Sequence, residues 1–151
     1  MSNPTPFPSA VDGAALGVTT FAILLEAISD CQLDAHIAAR REKRTDATVL
    51  SSGLWAWSRH PNYLGEMSWW WGVWLLGCES SSTWPALAGP LAITFLFAGI
   101  SVKLMEDRQI ANKGDLYREY QREVPSPLLL LPPPIGRWLG KTLSGSGAQM
   151  N

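Results

Sequence analysis

Cysteine is scarce. Cys31 and Cys78 are the only two among 151 residues, so no disulfide framework stabilises the chain, and neither stands at a spacing that binds metal. The topology developed below sets them near opposite membrane faces, which argues against pairing them. An excess of charge is missing as well: 12 Lys and Arg against 13 Asp and Glu leave a formal net charge of −1, and a nucleic-acid partner has no electrostatic support. The first residues lack the basic-then-apolar order of a secretory signal, and residues 1–13 read as a flexible leader. No G-x-G-x-x-G follows a strand-like run, which removes a Rossmann nucleotide site. The length is that of one domain.

Tryptophan is what the chain has in excess. Eight of them in so short a chain fit a protein that meets the headgroup layer of a bilayer, where Trp is enriched. Most fall in the stretch Leu54 to Trp74, around which the rest is organised. Arg59 to Glu66, R-H-P-N-Y-L-G-E, packs a cation, an imidazole, a carboxamide, a phenol and a carboxylate together and then passes directly into an apolar run. Pro61 suits the first turn of a helix, where its missing N–H costs nothing, with Ser58 or His60 placed to cap it. On that helix Asn62 and Glu66 share a face.

Three apolar stretches are expected to cross a membrane. Ala14 to Ile28 is shorter than the ~20 residues an untilted span needs, so it crosses only with its flanks. The basic run Ala39 to Asp46 then marks the cytoplasmic side. A second helix leaves the octapeptide through Met67 to Gly77, and the polar turn Cys78 to Pro85, without Lys or Arg, fits the opposite face. The third stretch, Ala86 to Val102, returns to Lys103 and Arg108 despite Gly89, Pro90 and Gly99, which neighbouring helices can accommodate. Past Gly114, Leu116, Tyr117, Tyr120 and Val124 line one side of a short amphipathic helix, which the prolines from Pro125 onward end. The expected fold is therefore all-α: an integral membrane protein of about three transmembrane helices plus a cytoplasmic amphipathic C-terminal helix, with residues 14–134 as the domain and 135–151 as a disordered tail.

The octapeptide closely resembles the signature of the steroid 5-alpha-reductase-like membrane family, whose C-terminal domain is shared by DUF1295-type proteins. The likeness extends to L-E-A-I-S-D-C-Q-L at Leu25 to Leu33, to G-P-L-A-I-T-F-L-F, to M-E-D-R and to Y-R-E-Y-Q before the proline-rich tail. A shorter R-H-P-x-Y-x-G core is similar to isoprenylcysteine carboxyl methyltransferases, which use S-adenosylmethionine. The first resemblance implies NADPH-dependent reduction of a carbon–carbon double bond in a sterol or other lipid-like substrate. That chemistry needs a dinucleotide held among helices and loops, with cations for its phosphates.

On that resemblance the cofactor contacts are Arg59 and His60, with Arg40, Arg41 or Lys43 nearby, for the phosphates. Asn62 serves a nicotinamide or adenine amide, Tyr63 a phosphate or ring, and Glu66 a ribose hydroxyl. Glu26 and Asp30 resemble further cofactor contacts, and Glu106, Arg108, Tyr117 and Tyr120 close the site from the tail. Simpler roles compete: Glu26 and Asp30 pair with Arg40 or Arg41, Arg59 anchors to headgroups, His60 caps a helix, and the two tyrosines pack. No catalytic residue is assigned, because in the resembled family the groups that polarise the carbonyl precede the first helix seen here. The chain is accordingly expected to hold the cofactor half without the catalytic half: it is a fragment missing its N-terminal portion, it works with a partner subunit, or it has lost activity. Asp34 stands where animal steroid reductases resemble one another in having arginine, which weakens steroid as the substrate. The expected location is the endoplasmic reticulum membrane in a eukaryote or the inner membrane in a bacterium, with the site facing the cytoplasm. Two rivals remain: methyl transfer to a lipid-modified thiol or amine, and a non-catalytic lipid-binding membrane protein.

Overall fold

The computed structural model describes residues 9–78 and 81–133, and every regular element among them is helical. Ser9 starts the first helix, α1 (Ala10–Arg41), by accepting from the Asp12 amide at 3.1 Å while the Asp12 carboxylate accepts from the Ser9 amide at 2.8 Å. This reciprocal cap satisfies two amides that a helix start leaves open. Arg40 and Arg41 in the last turn complement the dipole at the other end. With its flanks the apolar stretch is long enough to cross: 32 residues at 1.5 Å each make a rod of about 48 Å, longer than the ~30 Å hydrocarbon layer.

His60 and Pro61 set the start of α2 (Pro61–Gly77), with Pro61 at the first helical position and the His60 side chain making no cap bond. Helices α1 and α2 pack antiparallel along a seam of small residues. Ala15, Ala22 and Ser29, each seven apart, are fully buried on α1, and Gly65 and Gly72, also seven apart, face them. A Cβ on Gly65 would stand 2.8 Å from the Glu26 Cβ, and one on Gly72 would collide with Thr19. Small residues bring membrane helices close enough for backbone contact to hold them together.

The third apolar stretch is one helical rod of 30 residues, Trp84–Lys113, comprising the end of a 3-10 segment (Ser81–Leu87), α3 (Ala88–Phe95), a π-helical segment Leu96–Ser101 and α4 (Val102–Lys113). Such a wide turn re-aims the helix that follows it. α1 and this rod are long and apolar enough to cross a membrane, and only 17% and 11% of their apolar windows are buried. Leu16, Phe21 and Leu24 on the one, and Leu91, Phe95 and Leu104 on the other, point outward, as lipid-facing side chains do. At 17 residues α2 falls short of that length, so two of the three expected passes have the dimensions of a span.

Gly114, at φ 57°, separates α4 from α5 (Asp115–Glu123). Tyr117, Tyr120 and Val124 form a buried cluster with Val49 and Ile110 against it. Leu116, expected on that side, is 56% exposed, because it precedes the buried stripe by one position. After α5 the chain runs back along the octapeptide's approach: the Arg59 amide donates to Ser126 at 3.1 Å, the His60 amide to Pro127 at 2.9 Å, and the Leu131 amide to Trp57 at 2.9 Å. Residues 10–13 of the expected leader already belong to α1. Residues 1–8, Glu79 and Ser80 of the polar turn, and the tail from residue 134 lie outside the described residues.

Candidate functional site

Four pieces of chain converge on one cavity of about 560 Å³. The end of α1 brings Leu33, His36, Ile37, Arg40 and Arg41; the following loop brings Thr48, Val49, Leu50 and Trp55; the start of α2 brings Arg59, His60, Asn62 and Tyr63; α4 and α5 add Met105, Gln109, Lys113, Tyr117 and Tyr120. Its volume lies within the roughly 300–1,000 Å³ of small-molecule sites, and its wall mixes apolar and aromatic groups with a few polar ones.

The floor beneath the octapeptide is a buried ion pair. Arg59 Nε and Nη2 donate to the two oxygens of Glu106 at 2.6 and 3.2 Å, and Nη1 donates to the Val124 carbonyl at 2.7 Å. Gln121 holds the same carboxylate at 2.9 Å. Arg59 thus joins α2, α4 and the end of α5, a fixed role rather than a free cation in the cavity. His60 Nε2 stands 3.4 Å from Glu106 Oε1, near enough for an ionic contact but without a well-aligned hydrogen bond. Its ring stacks on Tyr63, with centroids 5.2 Å apart and planes at 13°, and Tyr63 leans on Phe97 of the π-helical segment at 4.6 Å. Tyr120 donates to the Trp55 carbonyl at 2.6 Å, and Trp55 donates to the Ser29 carbonyl at 3.1 Å, so the aromatic wall is tied to α1. Burial pushes the Tyr117 phenol up to about 12; the Glu106 charge adds to this and Arg59 opposes it. Burial, then Tyr117, raises the Tyr120 phenol as well. Both phenols are neutral at physiological pH.

The residues singled out from sequence divide between two places. Arg59, His60, Asn62, Tyr63, Tyr117 and Tyr120 line the large cavity, with Glu106 paired behind it. Glu26, Asp30 and Glu66 line a separate recess of about 410 Å³ between α1 and α2, with Ile23, Ala27 and Trp69. Asn62 stands between the two, donating to Asp30 at 3.1 Å, while Glu66 accepts from Trp70 at 3.0 Å. Arg108 is exposed and borders neither space. Among the described ion pairs, neither Arg40 nor Arg41 pairs with Glu26 or Asp30.

His36, Gln109 and Lys113 border the cavity without having been singled out. A signal existed for His36: it lies one turn before Arg40 on the same helix. Among the described residues, four buried polar side-chain atoms have no hydrogen-bond partner, and three of them, His36 Nε2, His60 Nε2 and Asn62 Oδ1, belong to residues of this wall. Orphaned polar atoms are costly to bury and ask for a partner. Both cysteines are free, and no group of His, Cys, Asp or Glu suited to a metal ion occurs among the described residues.

Three relatives place the chain among known proteins. It is 33% identical over 133 residues to an uncharacterized protein of Schizosaccharomyces pombe, covering 76% of this chain and 38% of that one. It is 29% identical over 105 residues to the Protein-S-isoprenylcysteine O-methyltransferase of the same yeast, covering 65% and 39%. The human Protein-S-isoprenylcysteine O-methyltransferase shares 31% identity over 90 residues, 59% of this chain and 30% of that enzyme. The chain thus spans about two-fifths or less of the length of these relatives. No solved structure matches. The two relatives that carry a function in their names are methyltransferases, not NADPH-dependent reductases of the kind the octapeptide first implied. A family model described as a protein of unknown function, DUF1295, matches residues 1–124, and the chain belongs to the DUF1295 family.

Proposed function

We propose that the large cavity binds S-adenosylmethionine and serves transfer of its methyl group to a lipid-like acceptor reached from the membrane. The observation that carries this reading is the wall around His60, where buried polar atoms of His36, His60 and Asn62 that lack a hydrogen bond stand beside the aromatic rings of Trp55, Tyr63, Tyr117 and Tyr120. The methyltransferase names of two relatives support it. When bound, S-adenosylmethionine supplies a methyl group on a cationic sulfonium sulfur, which an acceptor nucleophile displaces with release of S-adenosylhomocysteine. Aromatic faces attract such a cation. Asn62, able to donate and accept, and His60 hold the polar parts of the donor. Arg59, clamped by Glu106 and Val124, keeps the start of α2 in place so that donor and acceptor meet at a fixed distance. Leu33, Ile37, Val49 and Leu50 on the wall exclude water and match an apolar acceptor.

One observation favours reduction with NADPH as the runner-up: Arg40, Arg41 and Lys113 border the same cavity and suit the phosphates of a dinucleotide. Thermal unfolding in detergent separates the two. S-adenosylmethionine at about 100 times its Kd stabilises by ~2.7 kcal/mol through mass action, and Asn62→Ala removes most of the rise. A rise with NADPH and none with S-adenosylmethionine overturns methyl transfer in favour of reduction.

A further inference from the structure

His36 and Arg40 lie on α1 and Lys113 at the end of α4, and all three border the large cavity. They are close enough that Arg40 acts electrostatically on both His36 and Lys113, and Lys113 on His36. The ion pairs among the described residues go elsewhere: Arg44 to Glu42, Arg59 and His60 to Glu106, and Arg118 to Asp115. Among the described residues no carboxylate borders the cavity. Like charges that border one cavity repel one another, and an anion between them relieves that repulsion. His36 Nε2, buried without a partner, adds a third direction of approach.

We propose that His36, Arg40 and Lys113 form a subsite for a phosphate group carried by the methyl acceptor. The word acceptor rests on the methyl-transfer reading; the phosphate subsite does not. A phosphate monoester carries a charge of roughly −1.5 to −2 and three terminal oxygens. The Arg40 fork meets one or two of these, the Lys113 ammonium another, and His36, in the tautomer protonated at Nε2, donates to the third. A carboxylate offers one charge and two oxygens in a plane, which leaves one cation of the pair uncompensated. The remaining wall, with Leu33, Ile37, Val49, Leu50 and Met105, is apolar, so the group attached to the phosphate is expected to carry hydrocarbon.

The test uses the full chain in a neutral maltoside detergent and follows the thermal midpoint during titration with inorganic phosphate, dodecyl phosphate, dodecanoate and, separately, S-adenosylmethionine. The proposal expects a phosphate-dependent rise whose midpoint concentration increases tenfold or more in Lys113→Gln and in Arg40→Gln. Arg44→Gln, which removes a cation paired at the surface outside the cavity, leaves the response unchanged. A retained response to S-adenosylmethionine shows that each variant is folded. Tighter binding of dodecyl phosphate identifies a lipid source, and equal binding of inorganic phosphate a soluble one; either supports the subsite. The proposal is overturned if neither phosphate raises the midpoint, if dodecanoate matches dodecyl phosphate, or if both variants respond as the unaltered protein does. A wild-type chain stabilised by phosphate but not by S-adenosylmethionine removes the methyl-transfer reading and leaves the phosphate subsite standing.

Discussion

Replacing Glu106 by Ala strips the buried guanidinium of Arg59 of its counter-charge. Arg59 is 8% exposed and its partner 14%, so the pair is screened far less than one at the surface. Nε and Nη2 lose contacts of 2.6 and 3.2 Å, while Nη1 keeps the Val124 carbonyl at 2.7 Å. Leaving one member of a buried pair unpaired costs about 3–5 kcal/mol. Because a domain of this size loses about 2–4 °C of Tm per kcal/mol, the thermal midpoint in detergent is expected to fall by roughly 6–20 °C. Removing both charges in Glu106→Ala with Arg59→Met recovers a large part of the loss, since no uncompensated ion then remains, and the double-mutant cycle reports the coupling directly. A loss below about 1 kcal/mol for Glu106→Ala, the size expected of a solvent-screened surface pair, refutes the view that this pair anchors the site.

Three further outcomes follow from the same geometry. Gly65→Ala and Gly72→Ala force a methyl group into Glu26 and Thr19 across the α1–α2 seam, and each is expected to cost about 1–3 kcal/mol by overpacking; Gly17→Ala, within α1 with open space around it, is the control in the same melts and is expected to stabilise by up to about 1 kcal/mol through helix propensity alone. The Tyr117 phenol is pushed up to about 12 in the folded chain against ~10 when unfolded. Its contribution is therefore intact below pH 10 and is lost as pH rises from 10 toward 12, which a series of denaturation curves across that range detects. Tyr120→Phe leaves the Trp55 carbonyl without its donor at 2.6 Å, and equilibrium unfolding should show a loss of about 1–3 kcal/mol.

Particular residues show what was legible in the sequence. Pro61 announced the start of α2, because its fixed φ and missing N–H suit that one helical position. Gly114 announced the break between α4 and α5, and the apolar stretches announced an all-helical protein with long exposed rods. The partition of the site was not legible. Asn62 and Glu66 are four apart and share a face, yet Asn62 reaches Asp30 and borders the large cavity while Glu66 turns to Trp70 and the recess; periodicity fixes a face and leaves side-chain direction to the packing. The run from Ser126 to Leu131 against Trp57 to His60 left no trace either, because those bonds join backbone atoms and place no demand on residue type. Arg59 read as a cation free for phosphate, and only the fold reveals Glu106, 47 positions away, as its partner.

The central claim, methyl transfer within the cavity bordered by His60 and Asn62, is most directly tested by incubating the purified chain with S-adenosylmethionine labelled in its methyl group and a total lipid extract, then counting the label in the organic phase. The expected result is label in lipid with the unaltered protein and its loss with Asn62→Ala. An organic phase without label from a chain that remains folded contradicts the claim.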